Sequence, residues 1–159
     1  MYTMENRRIA VRAVIINDDK LLCVRLKGKD RVTPQDYWCL PGGGVDDLEA
    51  LVPALERELV EETGIKPVVG NLLYIQQFEH QNREHLELFF HVTNSQDYKN
   101  IDLEKTSHGA TEIAEIAFID PTTNNVLPDF LTNPNLIQDA VDGVTKIFDY
   151  VSSSADVVK

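Results

Sequence analysis

Hydrophobic and polar residues follow two different periods along the chain, and these periods separate predicted strands from predicted helices. Runs that are mostly apolar and β-branched, or that alternate apolar with polar residues, favour strands. Such runs occupy residues 9–16, 21–26, two stretches within 72–92, and 111–119. Turn residues at 17–19 and 81–84 predict that the first four of these strands form two hairpins. We expect the second strand within 72–92 to be half-buried, because Leu and Phe alternate with polar residues along it.

A helical period replaces the strand period in the middle of the chain. The apolar stripe at i, i+4, i+7 and i+11 consists of Leu48, Val52, Leu55 and Leu59. We expect the regular helix to begin near residues 50–52, since Pro53 is tolerated in a first turn. Gly64 is expected to end it in a left-handed conformation.

A second helical stripe near the end of the chain predicts a C-terminal helix over residues 134–151. Asn133 is the expected cap, and Pro134 suits a first turn. The stripe consists of Leu136, Ile137, Ala140, Val141, Val144, Ile147, Phe148 and Val151. Gly143 is a weak point in the middle of this helix.

The order of these elements predicts an α/β protein with a single domain. A chain of 159 residues suits one domain over 1–159, with its core at about 8–131 and the terminal helix after it. We find no internal repeat and no low-complexity tract. The residues up to 11 lack the regions of a signal peptide, and no apolar run has the length of a membrane span. The sequence therefore predicts no membrane partner.

Charge and cysteine content narrow the partners and the compartment. With 26 acidic against 15 basic residues, the formal charge is −11, which disfavours duplex nucleic acid as a partner. An acidic protein can still act on phosphates if metal ions carry the local positive charge. Cys23 and Cys39 have no zinc-ligand spacing, and we expect both to be reduced thiols in a cytoplasmic protein. The sequence does not fix an oligomeric state, and a homodimer is compatible with it.

Three glutamates share one face of the central helix. Glu58, Glu61 and Glu62 stand at i, i+3 and i+4, where like charges destabilise a helix by about 0.2–0.5 kcal/mol per pair. One interpretation is a solvated charged face, with Arg57 paired to Glu61. The other is a site for a divalent cation, since such ions prefer oxygen ligands.

The spacing around these glutamates favours the cation site. The segment from Gly43 to Ile65 matches the pattern G-x5-E-x7-R-E-U-x-E-E-x-G-U, in which U is aliphatic. This match is complete, and the segment resembles the box of the Nudix hydrolase superfamily. The preceding Trp38 to Gly43 also resembles the usual entry to that box. The resemblance implies an α/β/α sandwich around a mixed sheet, and it does not identify a subfamily.

The resemblance also implies roles for particular residues. Glu58, Glu61 and Glu62 would bind Mg²⁺ (or Mn²⁺), and Arg57 would orient a neighbouring glutamate. Glu58 and Glu115 are the two candidates for the catalytic base, because family members take it either from the box or from a later loop. Glu112 is the reserve for Glu115.

Residues around the box are expected to support these roles. Gly43 and Gly44 have room for a diphosphate near the backbone, and Arg25 offers a bidentate contact to phosphate. Glu49 precedes the helix, and we expect it to brace the loop or to reach the metal through water. Trp38 is expected to pack beside the loop. None of the four histidines has a partner at metal-ligand spacing, and the polar segment 94–109 has the length of a functional loop that could close over substrate.

Three functions are compatible with this interpretation. The first is hydrolysis of a nucleoside diphosphate linked to another moiety, by attack of water on phosphorus. The second is release of pyrophosphate from a nucleoside triphosphate, including oxidised ones. The third, which the intact box disfavours, is a non-catalytic nucleotide-binding module.

Overall fold

The structure is a computed structural model and describes residues 7–150. Eight strands, three helices and three short 3₁₀ turns make up this part of the chain. The strands are β1 (Arg7–Val14), β2 (Ile16–Asn17), β3 (Lys20–Leu26), β4 (Gly42–Gly44), β5 (Val69–His80), β6 (Arg83–Val92), β7 (Ile113–Ile119) and β8 (Lys146–Tyr150). The helices are α1 (Leu51–Thr63), α2 (Gly109–Glu112) and α3 (Leu136–Asp142), and the 3₁₀ turns cover Ser95–Tyr98, Leu103–Lys105 and Asp129–Thr132.

The strands form two sheets. The larger sheet has five strands in the order β4-β1-β6-β5-β8, with β1 parallel to β6 and β5 parallel to β8. Its other two pairings are antiparallel, so this sheet is mixed. The smaller sheet has three antiparallel strands in the order β2-β3-β7. No helix within residues 7–150 is long and apolar enough to cross a membrane.

Helices cover the larger sheet on its two faces. On one face, Leu55 and Leu59 of α1 share a buried cluster with Leu88 of β6. On the other face, Leu136 of α3 shares a second cluster with Phe89 of β6. Neighbouring residues on a strand point to opposite faces, so the sheet lies between the two helices. The predicted α/β/α sandwich with a mixed sheet is confirmed.

The first predicted hairpin is smaller than expected. Strand β1 lies in the larger sheet beside β6, and only the two residues of β2 turn back onto β3. The turn between them uses Asp18 and Asp19 at φ 48° and 59°. The reason is burial, since Ala13 and Val14 are both inaccessible to solvent and so fit a strand covered on both faces.

The second hairpin is confirmed. Strands β5 and β6 pair around Gln81 and Asn82, whose positive φ values of 51° and 60° suit a tight turn between twisted strands. The expectation that β6 is half-buried is wrong. Glu87 is 8% exposed and Phe89 is fully buried, because β6 lies in the middle of the larger sheet and is covered on both faces.

Helix α1 has the predicted ends but a shorter apolar stripe. It begins at Leu51, and Gly64 ends it at φ 76° while its N–H donates to the carbonyl of Val60. Leu48, however, is fully exposed, and Val52 is 37% exposed. Leu48 precedes the helix with a left-handed φ of 61°, so the helical period does not extend to it.

The predicted C-terminal helix over 134–151 is wrong beyond residue 142. Helix α3 ends at Asp142, Gly143 takes a left-handed φ of 65°, and β8 then pairs in parallel with β5. The Thr145 hydroxyl donates to the carbonyl of Leu72 at 2.6 Å, which directs the chain onto the edge of β5.

The predicted cap of α3 is also displaced. The residue before α3 is Asn135. The backbone N–H of Asn135 donates to the side-chain oxygen of Asn133 at 2.9 Å. Asn133 therefore shapes the turn that leads into α3 and does not cap it. The predicted last residue of the stripe, Val151, lies outside the described residues.

Candidate active site

A cavity of about 390 Å³ opens beside α1 and β4, between the two sheets. Its carboxylates come from α1 and α2, its guanidinium groups from β1, its glycines from β4 and its apolar surface from β3 and the segment before β4. The lining residues are Arg8, Arg12, Val24, Leu26, Cys39, Leu40, Gly42, Gly43, Gly44, Glu58, Glu61, Glu62, His108 and Glu112. The structure thus brings the three predicted metal ligands and both predicted glycines into one cavity.

Helical geometry explains why the three glutamates converge. Residues at i, i+3 and i+4 share a face, so Glu58, Glu61 and Glu62 reach the cavity while Leu55 and Leu59 are fully buried in the core. Leu55 and Leu59 belong to the apolar stripe beside the acidic face. One helix therefore anchors itself in the core and presents its acids to the cavity.

The glycines of β4 permit close approach. A Cβ at Gly43 would lie 2.5 Å from Oε2 of Glu58, so only a residue without a side chain lets this carboxylate lie against the strand. Gly42 has φ +134°, and a Cβ there would collide with the carbonyl of Val11. The backbone N–H of Gly42 donates to Oε2 of Glu62 at 3.0 Å. These contacts fix two carboxylates against β4.

Arg57 joins the loop before α1 to the acids on α1. Its guanidinium makes two hydrogen bonds of 2.8 Å to the carboxylate of Glu49. It also donates to the carbonyl of Gly44 at 3.0 Å, to Glu58 at 2.9 Å and to Glu61 at 3.4 Å. The pKa of Glu49 falls to about 2, chiefly because of the hydrogen bonds from Arg57. Glu49 therefore braces the loop through Arg57, as one of its two predicted roles required.

Burial makes two acids of the cavity, Glu58 and Glu62, costly to ionise. Glu62 is 5% exposed, and burial raises its pKa to about 8 against the opposing effects of the Gly42 N–H and Arg12. Burial also raises the pKa of Glu58, although Arg57 opposes this effect. A positive charge entering the cavity would favour the ionised forms of both carboxylates.

The donor set fits a hard divalent cation. It consists of carboxylate oxygens, the ligands that Mg²⁺ prefers. As residues 7–150 are arranged, no three His, Cys, Asp or Glu side chains converge closely enough to hold an ion. Arg57 instead donates from one nitrogen, Nη1, to both Glu58 and Glu61. These bonds engage only Oε1 of Glu58 and Oε2 of Glu61, so each carboxylate has a second oxygen to offer an ion, and their role as ligands stays a prediction.

The opposite wall of the cavity carries two arginines that we did not single out from the sequence. Arg12 donates to the carbonyl of Gly42 at 3.1 Å and pairs with Glu87 at 3.2 Å. Arg8 lines the cavity with no ion pair among residues 7–150. The sequence signal was their spacing, since positions i and i+4 of a strand share a face; Arg12 interrupts the apolar run and Arg8 directly precedes it.

Arg25 and Glu115 do not reach the cavity. They pair across β3 and β7 at 3.3 Å, and Arg25 also donates to the carbonyl of Gln35 at 2.7 Å. Trp38 packs as expected, and the Arg25 guanidinium lies 5.6 Å from its ring centroid. Val24 and Leu26 line the cavity, so strand alternation turns Arg25 and its partner to the other side. Their positions do not support the predicted phosphate-binding and catalytic roles.

The reserve residue Glu112 does line the cavity, together with His108. The His108 backbone N–H donates to the carbonyl of Glu61 at 2.9 Å, and its Nδ1 lies 3.1 Å from Oε2 of the same glutamate. A Cβ at Gly109 would lie 2.5 Å from the carbonyl of Glu62. The end of the predicted loop 94–109 is therefore docked against α1. No spacing pattern pointed to His108, because its contact with Glu61 joins residues 47 positions apart.

The two cysteines are free thiols with different exposure. Cys23 is fully buried, whereas Cys39 is half-buried at the wall of the cavity. Burial raises the pKa of Cys39 to about 11 and raises the pKa of Cys23 as well. Neither thiol is activated as a nucleophile.

Comparison with known proteins agrees with this fold. The NUDIX domain family model matches residues 6–139. The chain therefore belongs to the Nudix family.

Two curated relatives match part of the chain. It is 38% identical over 78 residues to diphosphoinositol polyphosphate phosphohydrolase 2 of Rattus norvegicus, covering 45% of this chain and 42% of that protein. It is 36% identical over 75 residues to the RNA pyrophosphohydrolase of Novosphingobium aromaticivorans, covering 46% and 44%. The match thus spans less than half the length of these relatives.

Solved structures share the fold over most of the chain. The solution structure of the E. coli ORF135 protein has a TM-score of 0.65 and 23% identity, covering 86% of this chain and 93% of that chain. The crystal structure of UDP-X diphosphatase has a TM-score of 0.66 and 22% identity, covering 93% and 70%. Both similarities establish the fold.

Proposed function

We propose that the chain hydrolyses a phosphoanhydride bond in a nucleoside diphosphate linked to another moiety, with Mg²⁺ (or Mn²⁺) as cofactor. The observation that carries the proposal is the cavity in which three carboxylates of one helix face two arginines. Carboxylates that are costly to ionise suit a divalent cation, and guanidinium groups suit phosphate oxygens. A diphosphate held between them would touch both walls.

The acids of α1 have separate roles in this proposal. Glu58, Glu61 and Glu62 would hold the cation, which when bound supplies positive charge against the phosphate oxygens and polarises the attacking water. Arg57 would position Glu58 and Glu61 through the hydrogen bonds that it already makes to both. Gly43 leaves the space in which Glu58 lies against β4.

The proton of the attacking water needs an acceptor in the cavity. A general base must come within hydrogen-bond reach of that water. Glu58 and Glu112 line the cavity and qualify, whereas Glu115 is turned away and pairs with Arg25. We therefore assign the base to Glu58 or Glu112. The variant Glu112→Gln separates them, because a large loss of kcat assigns the base to Glu112 and a retained kcat assigns it to Glu58, whereas Glu58→Gln also removes a proposed ligand of the cation.

The names of the relatives support the type of bond that is cleaved more directly than they support the identity of the group attached to it. One relative is named as a phosphohydrolase of diphosphoinositol polyphosphates and another as a pyrophosphohydrolase of RNA. The two named substrates differ, and what they have in common is linked phosphate. The two free thiols support a cytoplasmic location, which we also propose.

A substrate panel tests the proposal. The full chain with Mg²⁺ is assayed against ADP-ribose, UDP-glucose, diadenosine polyphosphates, dGTP and 8-oxo-dGTP, with products separated by anion exchange. Release of a nucleoside monophosphate together with the phosphorylated form of the linked group supports the proposal. Pyrophosphate released from a triphosphate supports the alternative, a nucleoside triphosphate pyrophosphohydrolase. No cleavage with Mg²⁺ or Mn²⁺ contradicts both.

A variant pair connects activity to the carboxylates. Glu62→Gln is expected to lower kcat by about 100-fold or more, because a neutral amide gives up the charge that the site requires. The matched control is Glu56→Gln on the same helix, since Glu56 lies outside the cavity and only approaches Lys66 at 3.8 Å. Turnover by the Glu62 variant at the wild-type rate, in saturating Mg²⁺, would contradict the assignment.

A further inference from the structure

Basic residues gather on the larger sheet just outside the cavity, although the chain carries a formal charge of −11. Arg8 of β1 lies beside His85 of β6, and His85 lies beside Phe78 of β5. The rings of Phe78 and His85 stack with centroids 4.8 Å apart and planes 9° apart. His80 and Arg83 are partners two rows further along, on the same face as Phe78 and His85. We call this group the basic shelf: it consists of Arg8, His80, Arg83 and His85, with Phe78 stacked against His85.

The basic shelf faces the same side as the cavity. Arg8 and Arg12 stand four positions apart on β1, so they share a face, and both line the cavity. Cross-strand partners share a face as well, which places His85 beside Arg8 on that side. Arg83 stands two positions before His85 and points the same way. The shelf is therefore a continuation of the arginine wall toward the β5–β6 turn.

The carboxylates that favour a charge on Arg8 are Glu87 and Glu58, and both are already paired, with Arg12 and Arg57. Arg7 pairs with Glu84 at 2.9 Å and Arg12 with Glu87 at 3.2 Å, whereas Arg8 and Arg83 make no ion pair in this part of the chain. The pKa of Arg8 is lowered by burial and then by Arg12. The pKa of His85 is lowered by burial and then by Arg8. Neighbouring cations that disfavour one another would be stabilised by an anion between them.

We propose that the basic shelf binds a phosphoryl group that the substrate carries in addition to the diphosphate cleaved in the cavity. The proposal rests on the proposed function for the identity of the neighbouring diphosphate. A guanidinium group next to an aromatic surface suits a phosphoryl group attached to a flat or cyclic body. Two sources share this chemistry, namely further phosphates in a linear chain and phosphates on a ring.

Equilibrium binding tests the shelf without turnover. Isothermal titration calorimetry of the full chain, without divalent cations, compares inorganic diphosphate with tetrapolyphosphate and with inositol hexakisphosphate. Arg83→Gln is expected to weaken one or both larger probes by about tenfold, the worth of one charge-assisted hydrogen bond. Its affinity for diphosphate is expected to stay within about twofold, because Arg83 does not line the cavity. Arg8→Gln is expected to weaken the same larger probes.

Arg7→Gln is the matched control. It removes the same charge from the residue next to Arg8, but on the opposite face of β1 and in an exposed ion pair of little energetic value. A loss confined to tetrapolyphosphate assigns the additional group to a linear chain, and a loss confined to inositol hexakisphosphate assigns it to a ring. Unchanged affinity of both Arg83→Gln and Arg8→Gln for the larger probes would overturn the proposal. So would an equal loss in Arg7→Gln, or equal wild-type affinity for all three probes.

The two proposals can fail separately. Glu62→Gln leaves the shelf unaltered, so it is expected to bind tetrapolyphosphate and inositol hexakisphosphate at least as tightly as the wild type. If binding of the larger probes depends on Arg83 but no member of the substrate panel is hydrolysed, the proposed function is contradicted and the proposal of the shelf stands. Hydrolysis of the panel, found together with binding that depends on neither Arg83 nor Arg8, would contradict the shelf and leave the proposed function.

Discussion

The two charged walls of the cavity differ in how their groups are held. On the α1 wall, Arg57 donates to Glu49, Glu58 and Glu61 and to the carbonyl of Gly44. On the β1 wall, Arg8 makes no ion pair within residues 7–150. A group whose bonds are already made serves to hold geometry, whereas an unpaired charge is available to a ligand. We therefore expect changes on the α1 wall to lower kcat and a change at Arg8 to raise KM, whereas Arg12 already bonds Gly42 and Glu87 and so belongs with the held groups.

Among changes that keep all three acids of α1, the largest effect is expected for Arg57→Lys. A single ammonium cannot reproduce the fork by which Arg57 reaches Glu49 and Glu58 together, so the acids lose their common support. We expect kcat to fall by about 10- to 100-fold with KM nearly unchanged, as for the loss of a group that orients metal ligands. Steady-state kinetics on the cleaved substrate measures both constants. A raised KM with unchanged kcat would place Arg57 among the binding groups and break the contrast between the walls.

A smaller but more local effect is expected for Gly43→Ala. The added Cβ would lie 2.5 Å from Oε2 of Glu58, so this carboxylate must move. We expect about a tenfold loss of kcat, following the misplacement of one acid. Gly44→Ala is the comparison one position along, since its added Cβ would lie 3.8 Å from Nη2 of Arg8, an ordinary contact. Gly44→Ala should therefore retain more of the wild-type kcat, and the reverse order would show that Gly43 is not what limits Glu58.

Acid sensitivity gives a third test of the α1 wall. The pKa of Glu49 lies near 2 against an ordinary value of 4.5, because Arg57 stabilises its ionised form. The stabilisation is fully present above about pH 4.5 and is lost as the pH falls toward 2. Glu49→Gln should therefore lower the free energy of unfolding at pH 6 and make little difference near pH 2. Urea unfolding from pH 6 to pH 2 measures the free energy of unfolding of both proteins. A difference between wild type and Glu49→Gln that stays constant over this range would contradict the prediction.

The smallest effect is expected at Cys39. Burial raises its pKa to about 11, so at pH 8 almost all of this thiol is protonated and unreactive. Cys39→Ser should leave KM close to the wild-type value, because the charged groups of both walls are retained. Labelling with Ellman's reagent at pH 8 should be slow for both thiols in the native chain and rapid in denaturant. Rapid native labelling would show that the cavity wall near Cys39 is open.

Local signals explain what the sequence could predict. The bounds of α1 follow from Pro53 in its first turn and Gly64 at its end, and the shared face of Glu58, Glu61 and Glu62 follows from helical geometry alone. The β5–β6 hairpin follows from its turn in the same way. Each of these features is decided within a few consecutive residues, so it could be predicted without the rest of the fold.

Pairing between distant segments explains what the sequence could not predict. Residues 146–150 belong to an apolar stripe at helical spacing, yet pairing with β5 makes them a strand. Glu112 and Glu115 are the same residue type three positions apart, and only the end of α2 and the register of β7 against β3 decide which of them lies in the cavity. The role of Arg8 likewise depends on its position beside β6. Register and sheet order are tertiary properties, and no short sequence pattern contains them.

The docking of residues 108–112 onto α1 has a consequence for engineering. The intervening segment is fixed at one end by the Thr93 N–H bonded to the Val68 carbonyl, and at the other by the His108 N–H bonded to the Glu61 carbonyl. Between these two anchors, Asp97, Lys99 and Asn100 are exposed. A peptide tag or fluorescent protein inserted at 99–100 would therefore leave the acids of α1 in register, and the molecule could be tracked or immobilised while still at work.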